Sequence, residues 1–484
     1  MQATTTERYE QAKAQLEQAG QGHVLRFYDE LDDAGKAALL DQVDSVDWPE
    51  LARLVQTHVL NKPAFELPQD VKPAPWYPYE PTDELSDKYD TARTLGEKLI
   101  RDGKVAAFTV AGGQGTRLGW PGPKGTFPAT AIRRTPLFAL FAEFIHKVQN
   151  KYACTVPWYV MTSPVNDADT RAFFKKHSFF GLDPKHVMIF PQSMLPAIDM
   201  RSGKVLLEDK GQIALSPNGH GGSLKALYTS GAIADMQNRG VEQVSYIQVD
   251  NPIVRVIDPL FLGLHAMDRA QMSSKMLPKR EPLEKLGNFC LVDGKMTVIE
   301  YSDLPDELAH ERLPDGQLRF RAGSIALHAI RVDFIEQLNR GADGIALPFH
   351  RAEKKVPFLD LDTGQAVKPD KPNAVKLEMF VFDALPMCER SIIYETNRLE
   401  EFAPIKNADG PAGTIVADSP ASSIQQQSQR NGAWLEKHAV TIPRDGEGNV
   451  AATLEISPLT AVEDHDLIDV NLPDEVKPGE RLLL

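Results

Sequence analysis

The chain has 484 residues, 42% of them hydrophobic and 25% charged, the composition of a globular protein with room for two or three domains. A formal net charge of −14 excludes a broad electrostatic grip on nucleic acid or on an anionic membrane, so any polyanionic ligand must be met by a local cluster of cations. Cys154, Cys290 and Cys388 stand far apart, with no C-x-x-C pair and no histidine at metal-binding spacing, so buried thiols in a reducing compartment are expected.

The opening MQATTTERYEQAKAQLEQAG lacks an apolar leader core, and no run approaches a membrane span, so a cytoplasmic location is expected. Residues 1 to about 60 read as helices. Leu39, Leu40 and Val43 form one apolar stripe, and Asp47 caps a helix with Pro49 near its start and Leu51, Leu54, Val55 and Val59 on one face. The proline-rich stretch from Pro63 to Pro81 reads as an extended connector. Domain boundaries are expected after residues 90 and 396.

From about 90 to 390 the pattern alternates. Strands are predicted at Val105–Val110, Val156–Met161, Val187–Phe190 and Val244–Val249, with helices between them at Thr135–Val148 and Leu224–Met236. This is an α/β domain with a largely parallel sheet, whose ligands gather outside the carboxyl ends of the strands. A hairpin is predicted over Asn288–Tyr301, with Asp293-Gly294 as its turn. After Asn397 the chain turns polar and loop-rich, with QQQSQ at 425–429 and a β-biased tail at Ala451–Ile456, so a small C-terminal β-rich domain is expected.

The segment with most chemical content is VAAFTVAGGQGTRLGWPGPKGTF at 105–127. Ala111, Gly112 and Gly113 leave a buried strand in a glycine cluster, where backbone N–H groups can approach phosphate oxygens, and Arg117 and Lys124 add charge beside them. Pro123 before Lys124 and Gly125 after it break the Walker pattern. Gly119 falls one place late for a dinucleotide fingerprint, which weakens an oxidoreductase reading.

Several segments together resemble the UDP-sugar pyrophosphorylase family, most of all its eukaryotic-type UDP-N-acetylhexosamine members. They are VAGGQGTRLG at 110–119 with PKG at 123–125, MTSP at 161–164, FPQSMLPAID at 190–199, PNGHGGSLKAL at 217–227 and QVDNP at 248–252. VIEYSDL at 298–304, AGSIALH at 322–328, KPDKPNAVKLEMFVFD at 368–383 and APIKNADG at 403–410 continue them in the same order. The resemblance implies a Rossmann-like, GT-A-like nucleotidyltransferase fold. It also implies Mg²⁺-dependent transfer of uridylyl from UTP to a sugar 1-phosphate, releasing pyrophosphate, by a monomer or homodimer.

The resemblance assigns phosphate contacts to Arg117, Lys124, Lys376 and Lys406, and nucleotide contacts to Ala111, Gly112, Gly113, Gln192, Gly219 and Asp250. Asp250, at a strand end, also suits magnesium, which takes one or two carboxylates plus phosphate and water. Sugar contacts fall on His220, Glu300, Tyr301 and Ser324. His220 and Ser324 replace asparagines usual in N-acetylhexosamine enzymes, and Gly-His-Gly resembles the UDP-glucose and broad-specificity branches, so UDP-N-acetylglucosamine and UDP-glucose are both expected products. A non-catalytic nucleotide-sugar binder on the same fold is the alternative.

Overall fold

A computed structural model describes residues 4–62, 70–340, 347–411 and 414–484. They form two compact units, each assembled from separated stretches of chain: Met1–Glu66 with Gln192–Ala226 and Ala346–Asp383, and Leu67–Pro191 with Leu227–Ile345 and Ala384–Leu484.

In the first unit the N-terminal helices supply the core. Asp47 caps the helix Trp48–Leu54 by accepting the Glu50 N–H, with proline in its first turn, and the chain continues as a π turn over Val55–Leu60. Leu39, Leu40, Val43, Leu51, Leu54, Val55 and Val59 are all buried against Ile198, Val205, Ile213, Val375 and Leu377. That packing supports a small antiparallel sheet of Ile198–Asp199, Ala374–Glu378 and His350–Lys354. The N-terminal helices therefore back the strand that carries Lys376.

The second unit is built on a ten-stranded mixed sheet. Its parallel half runs in the order Gln243–Gln248, Val105–Val110, Trp158–Thr162, Val187–Pro191. The first three of these strands are buried along nearly all their length, as a parallel sheet covered on both faces requires, whereas Val187–Pro191 at the end of the order is partly exposed. Their register aligns the carboxyl ends. Gln248 sits opposite Val110 and Val110 opposite Met161, so Ala111, Ser163 and Asp250 leave the sheet at one edge. Antiparallel strands extend the sheet through Ala322–Arg331 and Gly287–Val292 to Val71–Pro73.

The predicted hairpin forms from Gly287–Val292 and Lys295–Ile299, with Asp293 and Gly294 both at positive φ, as a tight turn of this twist demands. Elsewhere the structure corrects the reading. The predicted helix over Leu224–Met236 is two helices, Gly222–Thr229 and Ala232–Asn238, parted at Gly231, whose φ is +83°. Of the predicted connector, 63–69 lie outside the described residues, and Val71–Pro73 is an edge strand.

The loop-rich reading of 425–429 is overturned outright. Those residues lie within an 18-residue helix, Pro420–Lys437, opened by Ser419 in a capping box. Its glutamines fasten other chain segments: Gln427 donates to the Ala129 carbonyl at 2.9 Å and Gln426 to the Arg398 carbonyl at 2.6 Å. Polar composition concealed a helix that buries Gln427, Ser428 and Asn431 as well as Trp434 and Leu435. Beyond it the tail has one short parallel pair, Thr453–Glu455 with Arg481–Leu483.

Candidate functional site

The glycine loop is shaped by what holds its carbonyl groups. Asn166 Nδ2 donates to the Ala111 carbonyl at 2.9 Å and to that of Gly113 at 3.2 Å, while Ser163 Oγ donates to the Gly112 carbonyl at 2.9 Å. Lys124 N–H reaches the Gly113 carbonyl as well, at 3.1 Å, and Gly115 N–H takes the Gly122 carbonyl at 2.9 Å, closing the loop upon itself. Among the described residues no protein acceptor takes the Gly112 or Gly113 N–H. Unsatisfied backbone donors grouped beside a cation form an anion-binding concavity. A Cβ on Gly113 would meet nothing within 4 Å, so the loop is open above it.

Gly125 has the opposite reason to be glycine, since a Cβ there would lie 2.1 Å from the Phe138 ring. That close approach seats the short 3₁₀ turn Lys124–Thr126 against the core and sets where Lys124 emerges. Lys124 Nζ lies 3.8 Å from Asp250 Oδ2, and both side chains are 16% exposed. Arg117 is exposed on the arm of the loop, with no carboxylate at ion-pair distance among the described residues.

Lys406 is delivered to the same strand end by backbone pairing. Ile405 N–H donates to the Asp250 carbonyl at 2.8 Å, and Lys406 N–H to the Asp418 carbonyl at 2.7 Å. Thus Ala111, Gly112, Gly113, Arg117, Lys124, Asp250 and Lys406 all belong to one carboxyl edge of the sheet. The remaining members of this unit gather on the neighbouring antiparallel strands. Ser324 pairs with Gly287, and a Cβ on Gly287 would be 3.3 Å from Glu300 Oε1, so Ser324 and Glu300 flank one glycine. Tyr301 beside them is 40% exposed.

Gln192, Gly219, His220 and Lys376 belong to the other unit. Gln192 is buried, and its Oε1 has no hydrogen-bond partner among the described residues; its neighbour Ser193 accepts from Asn218 Nδ2 at 2.9 Å. An amide oxygen held dry and unpaired is costly unless a donor arrives. Gly219 has φ +81° and runs so close to the Met379 carbonyl that a Cβ would be 2.4 Å from it. Gly221 N–H donates to that same carbonyl at 2.8 Å, and Met379 N–H donates to Asn218. The loop therefore lies clamped along the segment following the Lys376 strand.

His220, expected among the sugar contacts, has its ring placed in this clamp. Its Nδ1 accepts the Val381 N–H at 3.1 Å, and the ring stacks on Phe380 with centroids 5.3 Å apart. Burial first, and His350 nearby second, push the imidazole pKa down to about 4, so the ring is neutral at pH 7 and fit to accept. Asn166 lies outside the motifs of the sequence because it works through backbone groups, and nothing in a motif distinguishes an asparagine used that way.

No group of three or more histidine, cysteine or acidic side chains placed to hold a metal occurs among the described residues. Asp250 offers a single partly exposed carboxylate beside open backbone donors, and this fits magnesium, which binds through few protein ligands with phosphates completing its shell.

Residues 64–428 match the UTP–glucose-1-phosphate uridylyltransferase family. The UDP-N-acetylhexosamine pyrophosphorylase-like protein 1 of Homo sapiens is 37% identical over 476 residues, covering 93% of this chain and 92% of that one. The UDP-N-acetylglucosamine pyrophosphorylase of Saccharomyces cerevisiae is 32% identical over 443 residues, 89% of this chain and 91% of its own. Among solved structures, the uridine diphosphate N-acetylglucosamine pyrophosphorylase of Trypanosoma brucei, in complex with an inhibitor, superposes with a TM-score of 0.83 at 25% identity, covering 100% of this chain and 99% of that one. Matched over most of its length by this family and by these relatives, the chain belongs to the UTP–glucose-1-phosphate uridylyltransferase family and is a UDP-sugar pyrophosphorylase.

Proposed function

We propose that this protein joins UTP to N-acetylglucosamine 1-phosphate, forming UDP-N-acetylglucosamine and pyrophosphate in the cytoplasm. The observation that carries the phosphate half of this reading is the pair of unclaimed N–H groups at Gly112 and Gly113 beside Lys124 and Asp250. The names of the relatives support the sugar. Glucose 1-phosphate is the second reading, favoured by His220 and Ser324 standing where N-acetylhexosamine enzymes usually carry asparagine.

In the reaction, the sugar phosphate oxygen attacks the α-phosphorus of UTP as the pyrophosphate departs. The chain need provide no nucleophile of its own. Its contribution is positioning and compensation of charge that grows on the leaving group. In this reading the N–H groups of Gly112 and Gly113 hold phosphate oxygens, and Arg117, Lys124, Lys376 and Lys406 face the charge that moves. Gln192 Oε1 accepts the ring N–H of uracil, and the Gly219 backbone lies along the base. Glu300 and Ser324 take sugar hydroxyl groups, with Tyr301 next to Glu300 in the chain, and His220 is assigned to the sugar by its motif. Asp250 would hold magnesium, which when bound supplies further neutralisation of the triphosphate.

Incubation of the purified protein with UTP, Mg²⁺ and a panel of sugar 1-phosphates, with pyrophosphate followed continuously, tests the assignment. The highest kcat/KM is expected with N-acetylglucosamine 1-phosphate. UDP-sugar binding without any pyrophosphate release would instead identify a non-catalytic binder.

A further inference from the structure

Asp250 and Lys406 lie 156 positions apart in sequence, and the residue that ties their segments together is Asn251. The residue is 4% exposed. Nδ2 donates to the Glu401 carbonyl at 2.6 Å, and Oδ1 accepts the Ala403 N–H at 3.1 Å. Together with the bond from Ile405 N–H to the Asp250 carbonyl, these contacts align residues 401, 403 and 405 with the strand end, and Lys406 follows directly.

The far side of this staple is anchored in a buried ionic cluster. Lys275 Nζ lies 2.7 Å from both Glu401 carboxylate oxygens and 2.7 Å from Asp258 Oδ2, and Thr396 Oγ1 donates to Glu401 Oε2 at 2.6 Å. Lys275, Asp258 and Glu401 are each at most 5% exposed at the side chain. Such a cluster gives little net stability, because desolvation offsets its attraction. What it does provide is a single geometry. Glu401 cannot slide without uncovering a buried charge, so Asn251 is held against a fixed point.

We infer that Asn251 is a positioning residue that sets the placement of Lys406 relative to Asp250, joining the strand-end carboxylate and the distant lysine into one rigid element. The inference rests on the roles proposed above for those two residues. A displacement of the order of 1 Å at such a group costs roughly a hundredfold in rate.

A double-mutant cycle on the full chain separates this role from ordinary structural support. Lys406→Ala alone is expected to lower kcat about a hundredfold or more. Asn251→Ala is expected to lower kcat about ten- to a hundredfold with the KM for UTP changed less than about threefold, because the defect lies in alignment rather than in ground-state binding. In the Lys406→Ala background, adding Asn251→Ala should cost less than about threefold more, since its effect passes through the lysine that is already gone. Thermal melts and calorimetric UTP titration of each variant accompany the kinetics. Multiplication of the two single effects would overturn the inference, as would a loss of melting temperature with kcat per folded molecule unchanged. If Asn251→Ala does not fold, Asn251→Ser enters the same cycle with the same expectations and the same overturning results. Unchanged kcat in Lys406→Ala would refute the role of Lys406 itself, and the positioning inference with it.

Discussion

The strand-end glycine loop of the second unit and the Pro217–Gly222 loop of the first are both glycine-rich, yet they are built on different physics. At the strand end, side chains of Ser163 and Asn166 occupy the carbonyl groups and leave the Gly112 and Gly113 N–H groups unclaimed, with Lys124 and Asp250 set beside them. In the other loop the glycines let the backbone press against Met379 and Phe380, and His220 completes the clamp through Val381. One is organised by charge and hydrogen-bond donors, the other by fit. A ligand with fixed charge, such as a triphosphate, admits few solutions, whereas a packed loop can be rebuilt with other residues. On the proposed roles, this accounts for a glycine loop and cations that keep the family motif alongside the replacement at His220.

The contrast can be broken most sharply at the charged edge. Lys124→Ala and Asp250→Ala should each lower kcat by about a hundred- to a thousandfold while the melting temperature moves little, because neither side chain is in the core. Steady-state turnover with matched thermal melts checks this, and an unaltered kcat in either variant removes that residue from the reaction. Gly125→Ala should act through folding instead, at a cost of about 1–3 kcal/mol, since its new methyl group would drive into Phe138. Urea unfolding measures it. Gly113→Ala, facing open space, should leave stability nearly intact and weaken UTP binding, and a large stability loss there would show that the loop is packed rather than open.

At the other loop, His220→Asn should cost about 0.5–1.5 kcal/mol through the lost ring contacts with Phe380 and Phe382. It should also move the ratio of kcat/KM toward N-acetylglucosamine 1-phosphate over glucose 1-phosphate by about tenfold or less. An unmoved ratio with the stability loss present would confine His220 to packing.

Stability should also depend on pH. His220 is held to about 4 in the folded chain against 6.5 when exposed, and buried His265, pressed by desolvation, to about 3. The unfolded chain therefore binds more protons than the folded one as pH falls below 6.5. This part of the stability is whole above 6.5 and is lost progressively as pH drops through 4 and 3. Urea midpoints between pH 7 and 4 should fall, and the fall should be shallower in His220→Gln, with the His265 share remaining. An identical slope in the variant would mean that His220 is protonated without cost.

Much of the parallel sheet was legible because strands buried on both faces need uninterrupted apolar runs, and Val105–Val110 forms over the residues predicted. The cap at Asp47 and the turn at Asp293-Gly294 were legible for a similar local reason, since each depends on the chemistry of one or two residues. The helix Pro420–Lys437 was not, because most of its buried face before Trp434 and Leu435 is polar, and Gln427 and Asn431 are suited to it only through carbonyl groups supplied from elsewhere in the chain.

The amino-acid order alone determined the strand-to-glycine transition at Ala111, the cations that follow it and the carboxylate at the end of a second strand, because these are properties of short segments. Only tertiary structure decided that the N-terminal helices form the core beneath Lys376, that Asn166 turns the loop carbonyls aside and that Asn251 fastens Asp250 to the segment bearing Lys406. The two asparagine contacts join residues distant in the chain through backbone atoms that every residue type shares, and so leave no compositional trace; the apolar stripe of the helices is visible in the sequence, but not the distant strands it covers.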